Sequence, residues 1–171
     1  MKPYLGRTVC VFVILALAAV PAAAKKGQPL VVKSAAIQVE MIQSSNADVP
    51  AEFQVALYEQ LVRQLAKQRA FPHVYRQGDR HSADDFERVI LRCTVREFKA
   101  GSERKRKVTT FGGWTSVTVD CQFTKPDGAL LLQREITGRV RFFGGNLRAT
   151  YDFAKQAARV AKQNFSVRNS A

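Results

Sequence analysis

The chain has 171 residues, 27 of them lysine or arginine and 14 aspartate or glutamate, for a formal net charge of +13. That length makes one domain with a real hydrophobic core, and the sequence shows no internal repeat, low-complexity tract or second domain. Two histidines leave scant material for acid–base or metal chemistry, while the positive charge favours anionic partners such as lipid head groups, lipopolysaccharide or acidic polysaccharide.

In chain order, Lys2 and Arg7 precede an almost unbroken apolar run over residues 9–20, and Pro21-Ala22-Ala23-Ala24 follows. This reads as a cleavable signal peptide, residues 1–24, cut after Ala24. The run is short for a bilayer span. The expectation is an exported chain, periplasmic with an extracellular site as the alternative, whose mature part is a single α+β domain over residues 25–171 (core about 31–165). Lys2 and Arg7 are the leader's only charges, so the mature domain keeps a net +11. Cys10 leaves with the leader and lacks the small-residue context of a lipid-attachment cysteine.

From residue 31, Ala35, Ile37, Val39 and Met41 alternate with polar or small residues, the period of a half-buried strand. Residues 44–50 carry turn chemistry and end in Pro50, suited to a first helical turn. Phe53, Leu57, Leu61 and Leu65 then trace a helix that stops near Arg69-Ala70, because Pro72 follows. His73-Val74-Tyr75 reads as a short strand broken at Gly78, and residues 79–85 as a polar loop. A long strand over residues 88–98 places Val89, Leu91, Cys93 and Val95 on one face. A connection over residues 101–113 leads to a strand with Val117, Val119, Cys121 and Phe123 inward. Pro126-Asp127-Gly128 is a tight-turn signal. The next strand puts Leu130, Leu132, Ile136, Val140 and Phe142 on one side, Gly144-Gly145 ends it, and a last helix runs over residues 147–164.

Strands with one apolar face need a cover, and two amphipathic helices supply it. The predicted fold is therefore an α+β two-layer sandwich, a mostly antiparallel sheet of four to five strands with two helices packed on one face. The other face, with Thr94, Arg96, Thr118, Gln122, Arg139 and Arg141, is expected to be wet.

Four features are candidates for function. Cys93 and Cys121 share the apolar parity of neighbouring strands. A hairpin centred on Lys107 sets them opposite each other, so they form either a cross-strand disulfide or two buried thiols. Arg104-Lys105-Arg106-Lys107 lies between two strands, as an anionic-surface contact or as a solvated hairpin tip that blunts aggregation. Phe111-Gly112-Gly113-Trp114 and Phe142-Phe143-Gly144-Gly145-Asn146 are aromatic–diglycine segments at the ends of adjacent strands. They are partner-facing loops or ordinary strand termini with bulges. Asp79, His81, Asp84 and Asp85 cluster in sequence without the ligand spacing of a zinc or calcium site. No Gly-x-Ser-x-Gly or Cys–His pattern appears, so no catalytic residue, metal or cofactor is implied.

The run Ala83-Asp84-Asp85-Phe86 before Val89-Ile90-Leu91, Val95-Arg96-Glu97-Phe98, Phe111-Gly112-Gly113, Lys125-Pro126-Asp127-Gly128-Ala129-Leu130-Leu131, Ile136-Thr137-Gly138 and Gly144-Gly145 before a final helix resembles the bacterial secreted family known as domain of unknown function 4410. The resemblance covers about residues 31–165 and implies an exported or lipid-anchored protein with no established activity and no catalytic residues to carry over. The chain departs from it in lacking a lipid-attachment cysteine and in its Arg104 to Lys107 run.

The function expected is that of a non-enzymatic binding or assembly module of the cell envelope, with an envelope protein or an anionic envelope surface as partner. The alternatives are a secreted hydrolase with a dispersed site, using His73, His81, Asp84 or Asp85, and an anionic-polymer or lipid-surface binder. Export argues against nucleic acid as the ligand.

Overall fold

The computed structural model describes residues 32–45, 48–69, 71–80, 88–108, 113–140 and 145–167. The expected leader, residues 1–24, lies outside them. In chain order the elements are β1 (Val32–Ser34), β2 (Ala36–Val39), β3 (Gln43–Ser44), α1 (Ala51–Gln68), β4 (His73–Arg76), β5 (Val89–Lys99), α2 (Glu103–Val108), β6 (Thr115–Thr124), β7 (Leu130–Val140), α3 (Arg148–Asn164) and β8 (Phe165–Val167). They form the expected two-layer α+β sandwich. Helices α1 and α3 lie side by side on one face of a sheet ordered β4-β2-β5-β6-β7, with β3 also pairing to β5. Strands β1 and β8 make a separate parallel pair.

The sheet is mostly antiparallel, as expected, its longest pairings being β5–β6 and β6–β7, but it has six strands where four to five were expected and it includes parallel pairs. Strands β5, β6 and β7 are the antiparallel meander read from the sequence. Strand β2 runs parallel to both β4 and β5. The reason is the placement of α1 between β2 and β4: a helical crossover returns the chain to the end it left, so the two strands it joins run the same way.

Helix α1 begins on Pro50, whose carbonyl accepts from the Phe53 and Gln54 amides at 2.9 and 3.1 Å. It ends on Arg69, in the left-handed region at φ 49°, at the expected place. Its buried face is Phe53, Leu57, Tyr58, Leu61, Gln64 and Leu65. Helix α3 buries Phe153 among alanines 149, 154, 157, 158 and 161. That small-residue side lets it settle onto β7 at Gly138, where a Cβ atom would stand 2.2 Å from the Ala149 carbonyl oxygen and 2.6 Å from Phe153 Cβ.

Three bulges shift the strand phase. Val39 pairs with Leu91 and Gln43 with Thr94, four residues against three. The extra residue reverses the alternation, so Ile42 is buried and Met41, expected inward, is 51% exposed. The strand expected from residue 31 is three short ones, β2 and β3 parted by this extra residue and β1 by its separate pairing with β8. A bulge at Arg96 carries Phe98 to the core side, where its ring lies 4.6 Å from that of Phe53. A third, at the β6–β7 turn, pairs Thr124 with Leu130 and leaves Leu130, expected inward, exposed.

The uncovered face is polar, as expected, and closely bonded. Arg92 holds Glu40 at 2.8 and 3.1 Å. Asp120 accepts from Arg96 at 3.2 Å and from Gln133 at 3.0 and 2.8 Å. Thr118 and Thr137 share a 3.2 Å hydrogen bond. Arg141 lies outside the described residues.

Candidate functional site

One end of the sandwich carries the basic run and the described parts of the two aromatic–diglycine segments. There β5 ends, β6 begins, and α1 and α3 both start. Three residues lock it together. The Gly101 amide donates to Thr115 Oγ1 at 3.1 Å, the Thr115 hydroxyl donates to Asn146 Oδ1 at 2.7 Å, and Asn146 Nδ2 donates to the Gly101 carbonyl at 3.4 Å. Gly101 is needed for this approach, since a Cβ atom there would meet the Gly113 and Trp114 backbone at 2.3–2.4 Å.

The junction brings the two aromatic–diglycine segments side by side, through Gly113 and Trp114 on one and Gly145 on the other. Gly113 has φ 73°, a backbone state that favours glycine. Phe111, Gly112, Phe143 and Gly144 lie outside the described residues. Trp114 is 48% exposed, Leu147 53% and Tyr151 41%. Leu147 and Tyr151 are one helical turn apart and share a side of α3. The Lys99 ammonium sits 5.6 Å from the Trp114 ring centre, within cation–π reach.

The connection over residues 101–113, expected without regular structure, contains α2. The Lys105 amide donates to Ser102 Oγ at 3.3 Å, a serine N-cap. Arg104 and Lys105 are exposed, and Val108 is 79% exposed. Of the basic run, Arg106 and Lys107 also fall on this helix. Sequence reading singled out the basic run and Trp114. It missed Thr115 and Asn146 as the clamp and Leu147 and Tyr151 as surface. The i, i+4 spacing of the last two was a usable signal, whereas the clamp joins residues distant in sequence.

Cys93 and Cys121 occupy the register expected of them, directly opposite on β5 and β6. They are free thiols with their Sγ atoms 2.8 Å apart, both buried. Burial, and then the hydrogen bond with Cys93, push the Cys121 thiol well above its ordinary pKa. A thiol so held is a poor nucleophile.

His73 stacks on Tyr75 with ring centres 6.1 Å apart, and Asp79 accepts from the Arg76 amide at 2.8 Å in its own turn. His81, Asp84 and Asp85 lie outside the described residues. Among the described residues no group of three or more His, Cys, Asp or Glu is arranged to hold a metal. A shallow groove of about 580 Å³ beside the end of α1, lined by Ala66, Arg69, Phe71, Pro72 and Val74, brings no acid–base pair together. Among the described residues no helix is long and apolar enough to cross a membrane.

No protein-family model matches the chain, and no curated protein matches it. Solved structures do. A PelC dodecamer from Paraburkholderia phytofirmans, in a variant with one leucine replaced by methionine, has a TM-score of 0.55 at 12% identity, over 80% of this chain and 92% of that one. A second PelC dodecamer from the same organism gives 0.54 at 13%, over 81% and 93%. The protein XCC0632 from Xanthomonas campestris, of the family DUF330, gives 0.47 at 14%, over 81% and 84%. At such identities the PelC likeness shows a common fold.

Proposed function

We propose that this chain is exported and works without catalysis, as a binding and assembly module of the cell envelope in the manner of the uncharacterised secreted family it resembles. The observation that carries the reading is the clamped end. Gly101, Thr115 and Asn146 are tied together by hydrogen bonds, and Trp114, Leu147 and Tyr151 stand exposed beside them. Exposed aromatic and aliphatic side chains gathered at one end of a well-packed domain suit recognition. The test is site-specific photocrosslinking in fractionated cells, with the probe at position 114 or 147 and, as control, at Arg63 on the exposed side of α1. The expected result is processed protein in the envelope fraction, crosslinked to an envelope component from 114 and 147 only. Unprocessed cytosolic protein, or equal crosslinking from Arg63, overturns the reading.

One observation favours self-association as the form the assembly takes. The upper edge of β7 is plugged by α3. Asp152 accepts from the Arg139 amide at 2.9 Å, and Gln156 donates to the Thr137 carbonyl at 2.9 Å. The alternation of an antiparallel ladder turns the Gln133 and Glu135 amides to that same outer side, below the plug. An open strand edge pairs readily with another chain. The PelC structures of this fold are dodecamers, and a second copy is the occupant proposed for the edge. Proline at position 133 removes an outward amide without touching the β6 ladder. Light scattering is expected to find an oligomer that Gln133→Pro reduces to monomer. A monomeric parent chain overturns this form of the reading and leaves the loop-end binding to its own test.

A further inference from the structure

We infer that the clamped end is a docking surface for a membrane rich in anionic phospholipid, an inference that rests on the envelope reading above. Two properties coincide there. The first is exposed amphipathic and apolar bulk: Trp114, Leu147, Tyr151 and Val108. The second is cationic charge set among it: Lys99 against the Trp114 ring, exposed Arg104 and Lys105 on α2, and Arg148 beside Leu147. Tryptophan and tyrosine favour the headgroup level of a bilayer because one end of each ring system is apolar and the other polar. Lysine and arginine lay their stems along apolar groups and keep the charge in the headgroup layer. Each cation near an anionic leaflet adds to the attraction, which decays within a Debye length.

Charge complementarity chooses the occupant. A solvated hairpin tip explains the four consecutive basic residues, Arg104 to Lys107, by themselves. It does not explain why three exposed apolar or aromatic side chains, Trp114 just before β6 and Leu147 and Tyr151 at the start of α3, gather at the same end beside the Gly101–Thr115–Asn146 clamp. A soluble acidic polysaccharide would satisfy the charges and leave those side chains in water. An anionic lipid surface accommodates both. The side chains enter singly from loop and helix ends, so the contact is interfacial and shallow.

Trp114 is the sole tryptophan of the chain, which makes the experiment specific. The processed protein is mixed with phosphatidylcholine vesicles containing phosphatidylglycerol, or with pure phosphatidylcholine vesicles. Binding is read by sedimentation and insertion by the blue shift of Trp114 emission and its quenching by brominated lipid. The expected result is sedimentation and quenching with phosphatidylglycerol only. Arg104→Gln with Lys105→Gln should lower the partition about tenfold, because neutralising cations removes the electrostatic share. Leu147→Ser should reduce quenching more than it changes the salt dependence. Binding without any change in Trp114 emission, abolished equally by soluble heparin, would mark the end as a polymer site and overturn the inference. So would indifference to the charge variants. Neither result bears on the photocrosslinks from positions 114 and 147, so the envelope reading stands or falls separately.

Discussion

Cys93 and Cys121 face each other across β5 and β6 with their sulfur atoms 2.8 Å apart, inside the core that α1 and α3 cover. Two thiols at that separation in an oxidising compartment lose two protons and two electrons to a disulfide-exchange partner and become a cross-strand bridge. Once folded, both sulfurs are shielded and the Cys121 thiolate is disfavoured, so the bridge should form during folding. With the export proposed above, protein recovered from the envelope fraction should bind no thiol reagent after denaturation, and protein made in a reducing cytosol should bind two equivalents at these positions. The bridge closes a loop intermediate between the short and long cases of chain-entropy theory, for a gain of about 3–4 kcal/mol. Two free thiols in the exported protein would refute the bridge.

Gly138 and Phe153 give a second test. Their contact leaves no room for a methyl group on β7, since a Cβ at Gly138 would lie 2.2 Å from the Ala149 oxygen. Gly138→Ala must lift the start of α3 from the sheet and should cost about 1–3 kcal/mol, as overpacked cores do. Gly128 in the β6–β7 turn makes the comparison. It sits at φ 89°, and a Cβ atom there would have nothing within 4 Å, so Gly128→Ala meets only backbone strain, of about 1 kcal/mol. Urea unfolding of the two variants should rank them in that order.

The parts of this fold that were legible in the sequence are those that repeat. The period of α1, the alternation in β5 and β6, and the turn at Pro126-Asp127-Gly128 each appear where the pattern put them, and the Cys93–Cys121 register followed from one symmetric hairpin. The errors come from single extra residues. A period-two reading has no means of sensing a bulge, and beyond each one every side chain changes face. Met41 and Leu130 were misplaced in that way, and Phe98 joined the core by the same mechanism. The parallel pairing of β2 is a matter of tertiary connection. At the candidate site, Trp114 and the basic run stood out by composition. The Thr115–Asn146 clamp did not, because it spans 31 residues.

Glu59 on α1 and Arg76 on β4 form a two-pronged ion pair, with the guanidinium also 5.7 Å from the Tyr58 ring centre. The hydrogen bond from Arg76 is the main cause that lowers the Glu59 pKa below the ordinary glutamate value of 4.5. A carboxylate with a depressed folded pKa contributes stability above its unfolded pKa and loses it as pH falls through the folded one. Both side chains are 43% exposed, so screening limits the pair to about 0.5–1 kcal/mol. Glu59→Gln should therefore be slightly less stable than the parent at neutral pH. The gap in urea midpoint should close below the ordinary glutamate range. A gap that widens in acid would show that the pair is not the source.

The clamp at the candidate site can be separated from simple packing by two substitutions at one position. Thr115 is fully buried, and its hydroxyl both accepts from the Gly101 amide and donates to Asn146. Thr115→Ser keeps those bonds and loses a methyl group. Thr115→Val keeps the shape and removes both the bond from the part-buried Gly101 amide and the bond to Asn146 Oδ1, at a cost of about 1–3 kcal/mol for the two. If the hydroxyl fixes the Gly101–Thr115–Asn146 junction, the valine variant should show lower Trp114 fluorescence anisotropy and easier acrylamide quenching, because Trp114 adjoins Thr115 and its backbone packs on Gly101. The serine variant should match the parent in both. Equal loosening in serine and valine variants would assign the rigidity of this end to packing of the threonine methyl, and the hydrogen-bonded clamp would lose its claim to positioning Trp114.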